Sequence, residues 1–264
     1  MCSDNGIVSE GVSQSDSRVT AQVAKEIAAG RSSVNMLANQ FSTEILTVDI
    51  GIDSDIYCSN IINKKIAYGT RSIVKGPAMD PSQARKAISN GIEIVYDLCR
   101  NGTDIIITGE MGIGNTTTSA AIASVILGIP AEITTGRGAG LDSSGMSRKI
   151  AAIHRAIKLN KPDPTDPIDV LSKLGGFDIA GMTGLFLGGA ECGIPIVIDG
   201  VISAVSACLA EMISPGCRDF MLPSHVSNEP SARLLLEKLG LKAPINAGFH
   251  LGAVSYTHLR AHET

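Results

Sequence analysis

Strand-like and helix-like runs alternate along this chain, which predicts an α/β fold with a mainly parallel sheet. Two stretches carry the prediction furthest. Asp104-Ile105-Ile106-Ile107 is short, β-branched and bounded by glycine, the pattern of a buried parallel strand. It runs through the turn Gly109-Glu110-Met111-Gly112-Ile113-Gly114 into Thr116–Thr118 and the apolar, helix-forming stretch Ala120–Leu127. The second stretch, Pro195-Ile196-Val197-Ile198-Asp199, is another fully apolar strand, and it ends on a carboxylate.

The other elements follow in order. A helix opens at Val19-Thr20 and runs through Val23, Ile27 and Ala28, with Asn35–Ala38 extending it past Gly30. Ile45–Ile50 reads as a strand. Pro81 starts a long helix whose apolar positions are Ala87, Ile88, Ile92, Ile94, Val95 and Leu98. Ser147–Leu159 is a helix with Ile150, Ile153 and Ile157 inward and Arg148, Lys149, Arg155 and Lys158 outward. Val201–Met212 is a helix after the second strand. Phe220–Leu222 and Ile245–Gly248 are short strand candidates flanking the helix Ser231–Leu239.

Composition narrows the function classes. With 264 residues, 44% of them hydrophobic, the chain can bury one large core or two modest ones. A net charge of −4 without a basic block argues against nucleic acid as a partner. There is no apolar run of membrane-spanning length and no charged-then-apolar leader, so the expectation is a soluble, cytoplasmic protein. The six cysteines form no C-x-x-C pair, which argues against structural zinc or a disulfide frame and leaves buried free thiols. Both ends look irregular. Met1–Gly6 reads as the tail of a strand entering a loop, with an N-terminal portion missing. Ser255–Thr264 continues no pattern and reads as part of a non-native tail, 253–264, after a single domain over 1–252.

A strand, a glycine turn and a helix N-terminus together make an anion site, because unpaired backbone N–H groups and the positive end of the helix dipole face one point. Two generic motifs nearly fit here. Gly109 and Gly114 have the P-loop spacing with Thr116 in the Ser/Thr place, but Asn115 replaces the lysine. The dinucleotide pattern begins at Gly112 and Gly114 but meets Thr117 where its third glycine belongs. A triphosphate, and with it an NTPase or kinase, is disfavoured, whereas a monophosphate is allowed. A purely structural turn is the alternative, against which stands Glu110, a carboxylate beside a phosphate cradle. Thr134–Leu141 is a second glycine loop holding Arg137, with Lys149 on the next helix; it is either an anion loop or a connector. Asp178 and Asp199 each precede a helix and are by default N-caps, a position that also suits ribose hydroxyls. His225 is a loop histidine or a base.

The ordered set of Glu110-Met-Gly-Ile-Gly-Asn-Thr-Thr, Gly136-Arg-Gly-Ala-Gly-Leu with Arg148-Lys149, Gly175-Gly-Phe-Asp-Ile-Ala-Gly-Met-Thr-Gly, Pro195-Ile-Val-Ile-Asp-Gly, Ser224-His-Val-Ser and Gly248-Phe-His-Leu-Gly252 resembles one family. That family is the nicotinate-nucleotide–dimethylbenzimidazole phosphoribosyltransferases, and the resemblance covers essentially Cys2 to Gly252. It implies a Rossmann-like sheet with helices on both faces, plus remnants of a small helical domain. It implies a homodimer that moves the phosphoribosyl group of nicotinate mononucleotide to dimethylbenzimidazole or a related base, with no metal or other cofactor. By position it places substrate contacts at Gly112, Gly114, Asn115, Lys149, Asp178, Asp199, Gly200, Ser227 and Leu251, with Ser13 and Gln22 near the base pocket. Glu110 is the carried-over catalytic carboxylate. The family's catalytic glutamate falls at Ala253 here, so impaired turnover is expected, the alternative being a mononucleotide-binding module without transfer activity.

Overall fold

A computed structural model describes residues 1–138 and 140–248 of the chain. The strands are β1 (Cys2–Ser3), β2 (Thr47–Gly51), β3 (Ile61–Asn63), β4 (Ile106–Ile107), β5 (Ile196–Ile198) and β6 (Met221–Pro223). The first five helices are α1 (Arg18–Ala28), α2 (Ser33–Gln40), α3 (Pro81–Arg100), α4 (Asn115–Leu127) and α5 (Ala131–Thr134). They are followed by α6 (Ser143–Asn160), α7 (Pro167–Leu174), α8 (Phe177–Cys192), α9 (Val201–Ile213) and α10 (Pro230–Leu239).

All strand pairs are parallel, as expected, and they form two three-stranded sheets, β1-β2-β3 and β4-β5-β6. The sheets meet where the chain leaves β4: Ser3 N–H donates to the Met111 carbonyl at 3.0 Å and Met111 N–H to the Met1 carbonyl at 2.9 Å. Across that junction the strand order is 3-2-1-4-5-6. This is the doubly wound order, and its ligand crevice lies beyond the strand carboxyl ends where the order reverses, here between β1 and β4. Asp4-Asn5 leaves β1 at that point, and Gly109-Glu110 leaves β4.

Helices cover the sheets closely because the sequence supplies small residues where they cross. A Cβ on Gly91 of α3 would lie 2.1 Å from the Gly181 carbonyl oxygen, and one on Gly184 of α8 would lie 2.0 Å from that of Ile88. The two backbones therefore touch, a contact only glycine permits. α8 is buried on every side from Phe177 to Gly189, with Phe177 and Phe186 among the largest fully buried side chains. A smaller cluster of Cys2, Ala24, Ile52, Ile61, Met111 and Ile113 lies under α1.

Several expectations are corrected. The helix foreseen past Gly30 is two helices: Gly30 takes φ +76°, and Ser32 with Asn35 forms a capping box that restarts the chain as α2. The Asp104–Ile107 run is not buried on both faces, because only Ile106 points into the core while Ile105 and Ile107 are 49% and 60% exposed. Ile245 makes a single bridge to His225 rather than a strand. Leu251, Ala253 and the segment read as a tail lie outside the described residues.

Candidate active site

The centre of the site is the first turn of α4. Gly114, in the left-handed region at φ +94°, reverses the chain so that Asn115 and Thr116 start the helix at the crevice floor. From there the two residues reach in different directions.

Asn115 holds the acids. Its Nδ2 donates to Glu110 Oε2 and, at 2.9 Å, to Asp178 Oδ2. Asp178 is fully buried, and its other oxygen accepts the Ile179 N–H at 3.0 Å. Gly112 packs underneath: a Cβ there would lie 2.3 Å from Asp178 Oδ2 and 2.7 Å from the Ser3 carbonyl oxygen. Asp178 and Asp199 are not the N-caps their positions suggested. Gly176 and Gly200 take the cap positions of α8 and α9, which leaves both carboxylates for the crevice.

Crowding sets the protonation of these acids. Burial pushes the Glu110 carboxyl up to about 7, and the charges of Asp178 and Asp199 push the same way. The Asn115 hydrogen bond and the Met1 amino group oppose that rise. Burial also raises Asp178, with Asn115 opposing; Asp199, solvent-exposed at the crevice lip, is raised by the desolvating atoms packed around it, with His225 opposing. Glu110 and Asp199 line one narrow cleft together with Gly109, Gly200 and Ser203. Asp199 and Gly200 also line a neighbouring shallow cleft with His225 and Ser227. Ser203 locks the edge between them, pairing its hydroxyl with Thr108 Oγ1 at 2.6 Å and accepting the Asp199 N–H at 3.3 Å.

Thr116 reaches the cation. Lys149 was expected on the outward face of its helix; instead it is fully buried, because α6 packs on α4 along that face. Its Nζ donates to Thr116 Oγ1 at 2.9 Å and to the Gly136 carbonyl at 3.0 Å. Burial lowers the ammonium to about 8, against the attraction of the Glu229 carboxylate. Glu110, Asp178 and Lys149 thus meet at one helix N-terminus, and Asp199 joins them through the cleft it shares with Glu110.

The remaining expected residues are less central. Ser13 accepts the Ser15 N–H at 3.2 Å, next to Gln14, whose amide reaches the Gly140 carbonyl at 2.8 Å. Gln22 is exposed on α1. Thr20, which accepts the Ile113 N–H at 3.2 Å, is two residues away and projects from a different side of the helix. Ser227 accepts the Glu229 N–H at 3.4 Å. Three residues are not picked out as site residues by the sequence. Asp4 and Asn5 are buried at the switch point, and Glu229 accepts the Gly138 N–H at 3.0 Å. A glutamate at a helix N-cap, where Ser, Thr, Asp or Asn is usual, was the available signal for Glu229. Among the described residues no cluster of His, Cys, Asp and Glu has metal-binding geometry.

A family model described as phosphoribosyltransferase matches residues 1–259. The chain is 48% identical over 262 residues to the nicotinate-nucleotide–dimethylbenzimidazole phosphoribosyltransferase of Ruminiclostridium cellulolyticum, covering 99% of this chain and 74% of that one. It is 46% identical over 252 residues to the protein of the same name from Acetivibrio thermocellus, covering 96% and 72%. Its fold is similar to the crystal structure of CobT from Thermus thermophilus, with a TM-score of 0.90, 33% identity, and coverage of 98% of this chain and 79% of that one.

Proposed function

Because this chain belongs to the phosphoribosyltransferase family whose model spans it, we propose that it transfers the phosphoribosyl group of nicotinate mononucleotide to dimethylbenzimidazole, as its relatives' names state. One observation carries the reading: neighbouring residues Asn115 and Thr116 tie an acidic cluster and a buried lysine to the same helix N-terminus. The phosphate is assigned to the glycine turns and Lys149, where helix dipole, backbone N–H groups and ammonium act together. Asp178, Asp199, Gly200 and Ser227 are assigned to the sugar and leaving base.

The chemistry divides between the two sides. As nicotinate leaves C1′ of the ribose, positive charge develops on the sugar, and a nearby carboxylate stabilises it. The benzimidazole ring nitrogen that carries a free lone pair forms the new bond to C1′ from the opposite face, and the N–H proton of the other ring nitrogen passes to a base. Glu110, poised near neutrality, is the carboxylate assigned to take it. Holding two substrates in line supplies much of the remaining acceleration.

A second reading is mononucleotide binding with slow transfer, and it is favoured by Ala253 where the resemblance places the family's catalytic glutamate. The two readings separate in one assay, in which the chain is incubated with nicotinate mononucleotide with and without dimethylbenzimidazole. Benzimidazole-dependent release of nicotinate with matching α-ribazole phosphate supports transfer, and Glu110→Gln should abolish it. Binding without release supports the second reading. We further propose a homodimer in the cytoplasm; among the described residues no helix is long and apolar enough to cross a membrane.

A further inference from the structure

Glu229 sits at the N-cap of α10, yet its side chain makes no capping bond to its own helix. It turns across the crevice, where its Oε1 accepts the Gly138 N–H at 3.0 Å. The carboxylate fills the space over Gly136 so completely that a Cβ there would lie 1.9 Å from Oε2 and 2.5 Å from the carboxyl carbon. It also faces Lys149, whose ammonium it attracts. A backbone N–H donor in a glycine loop, a space shaped for a planar or tetrahedral oxyanion and a buried ammonium are together the requirements of a phosphate monoester.

We propose that Glu229 is an internal competitor for the substrate's phosphate: its carboxylate holds the Gly138 N–H and faces Lys149, and it must swing out of the Gly136–Gly138 loop for a phosphate monoester to seat. The inference rests on the reading that Lys149 and the glycine turns receive the phosphate. The Glu229 carboxylate already takes the Gly138 N–H and fills the space over Gly136, so a phosphate seated there displaces it. The Glu229 backbone N–H is bonded separately to Ser227 Oγ, which lines the cleft shared with Asp199, so the carboxylate can swing without breaking that bond.

The test is calorimetric binding of three probes, nicotinate mononucleotide, nicotinate riboside and inorganic phosphate, to the full chain and to Glu229→Gln and Glu229→Ala. Neither variant removes a helix cap, and a thermal melt of each checks that it folds. The wild-type chain should bind the mononucleotide more tightly than the riboside; equal affinities would overturn the phosphate reading itself. Given that preference, Glu229→Gln should tighten mononucleotide and inorganic phosphate binding by roughly three- to tenfold, the scale of one partly exposed charge. Glu229→Ala should do at least as much, and riboside affinity should not change. Unchanged or weaker mononucleotide binding in both variants would overturn the competitor and make Glu229 part of the cradle. Equal tightening of mononucleotide and riboside would overturn it too, since the effect would not pass through the phosphate.

Discussion

The two flanks of the α4 N-terminus are built differently although they start from adjacent residues. On the acidic flank, Asn115 clamps Glu110 and Asp178, a glycine floor fits beneath them, and the supports are a strand end and two long helices. On the basic flank, Lys149 is just as buried, but the loop it faces, Gly136–Gly138, is held by a carboxylate from the other end of the chain. The first flank is set by packing; the second is held by a carboxylate-to-backbone hydrogen bond, proposed above to be exchangeable. A transferase needs both, since the reacting sugar has to be held still while a charged group enters and leaves.

The sharpest way to break this comparison is to remove the cation. Lys149→Met should weaken nicotinate mononucleotide binding by about 2–3 kcal/mol, the worth of a charged hydrogen bond, and should leave Thr116 Oγ1 and the Gly136 carbonyl without their donor. Calorimetry reads this directly; an affinity within a factor of two of wild type would place the phosphate elsewhere.

Next in size is the acidic floor. Gly112→Ala forces a Cβ against the Asp178 carboxylate and the Ser3 backbone, and backbone cannot yield cheaply. It should cost about 1–3 kcal/mol of stability, measured as the shift in urea midpoint. Gly136→Ala on the other flank meets only the flexible end of Glu229 and should cost less than about 1 kcal/mol. Equal costs would erase the distinction between a packed flank and an exchangeable one.

Smaller effects appear in pH dependence, with opposite signs. Glu110 in the folded chain titrates near 7, above its ordinary 4.5, so from about pH 4.5 to 7 the folded state keeps a proton that the unfolded chain has lost. Its contribution to stability is therefore full below pH 4.5 and is lost as pH rises through 7. Lys149 titrates near 8, below its ordinary 10.5, so between pH 8 and 10.5 the unfolded chain holds the extra proton and stability rises with pH. Glu110→Gln should flatten the first slope relative to wild type, and Lys149→Met the second. Urea midpoints taken across the two windows check this, and a variant slope parallel to wild type in its own window would refute the corresponding assignment.

Local chemistry was readable in the sequence, and long-range pairing was not. The strand, glycine turn and helix around Glu110 were legible because turn residues and periodicity are local signals. Asp178 and Asp199 were misread as caps because nothing local shows that a preceding or following glycine takes the cap instead. Lys149 was assigned outward since basic residues on a helix usually face water; the packing of α4 against α6 overrides that. Glu229 was missed because its partner is 91 residues away. The strand order could not be foreseen from a first strand of two residues.

The bare contact between α3 and α8 has a mechanical consequence. With Gly91 and Gly184 bringing the two main chains together, α3 and α8 lock backbone to backbone at that crossing, and further along the Val95 side chain packs on Gly188. Asp178 stands on the first turn of α8, so its depth in the crevice is tied to that crossing.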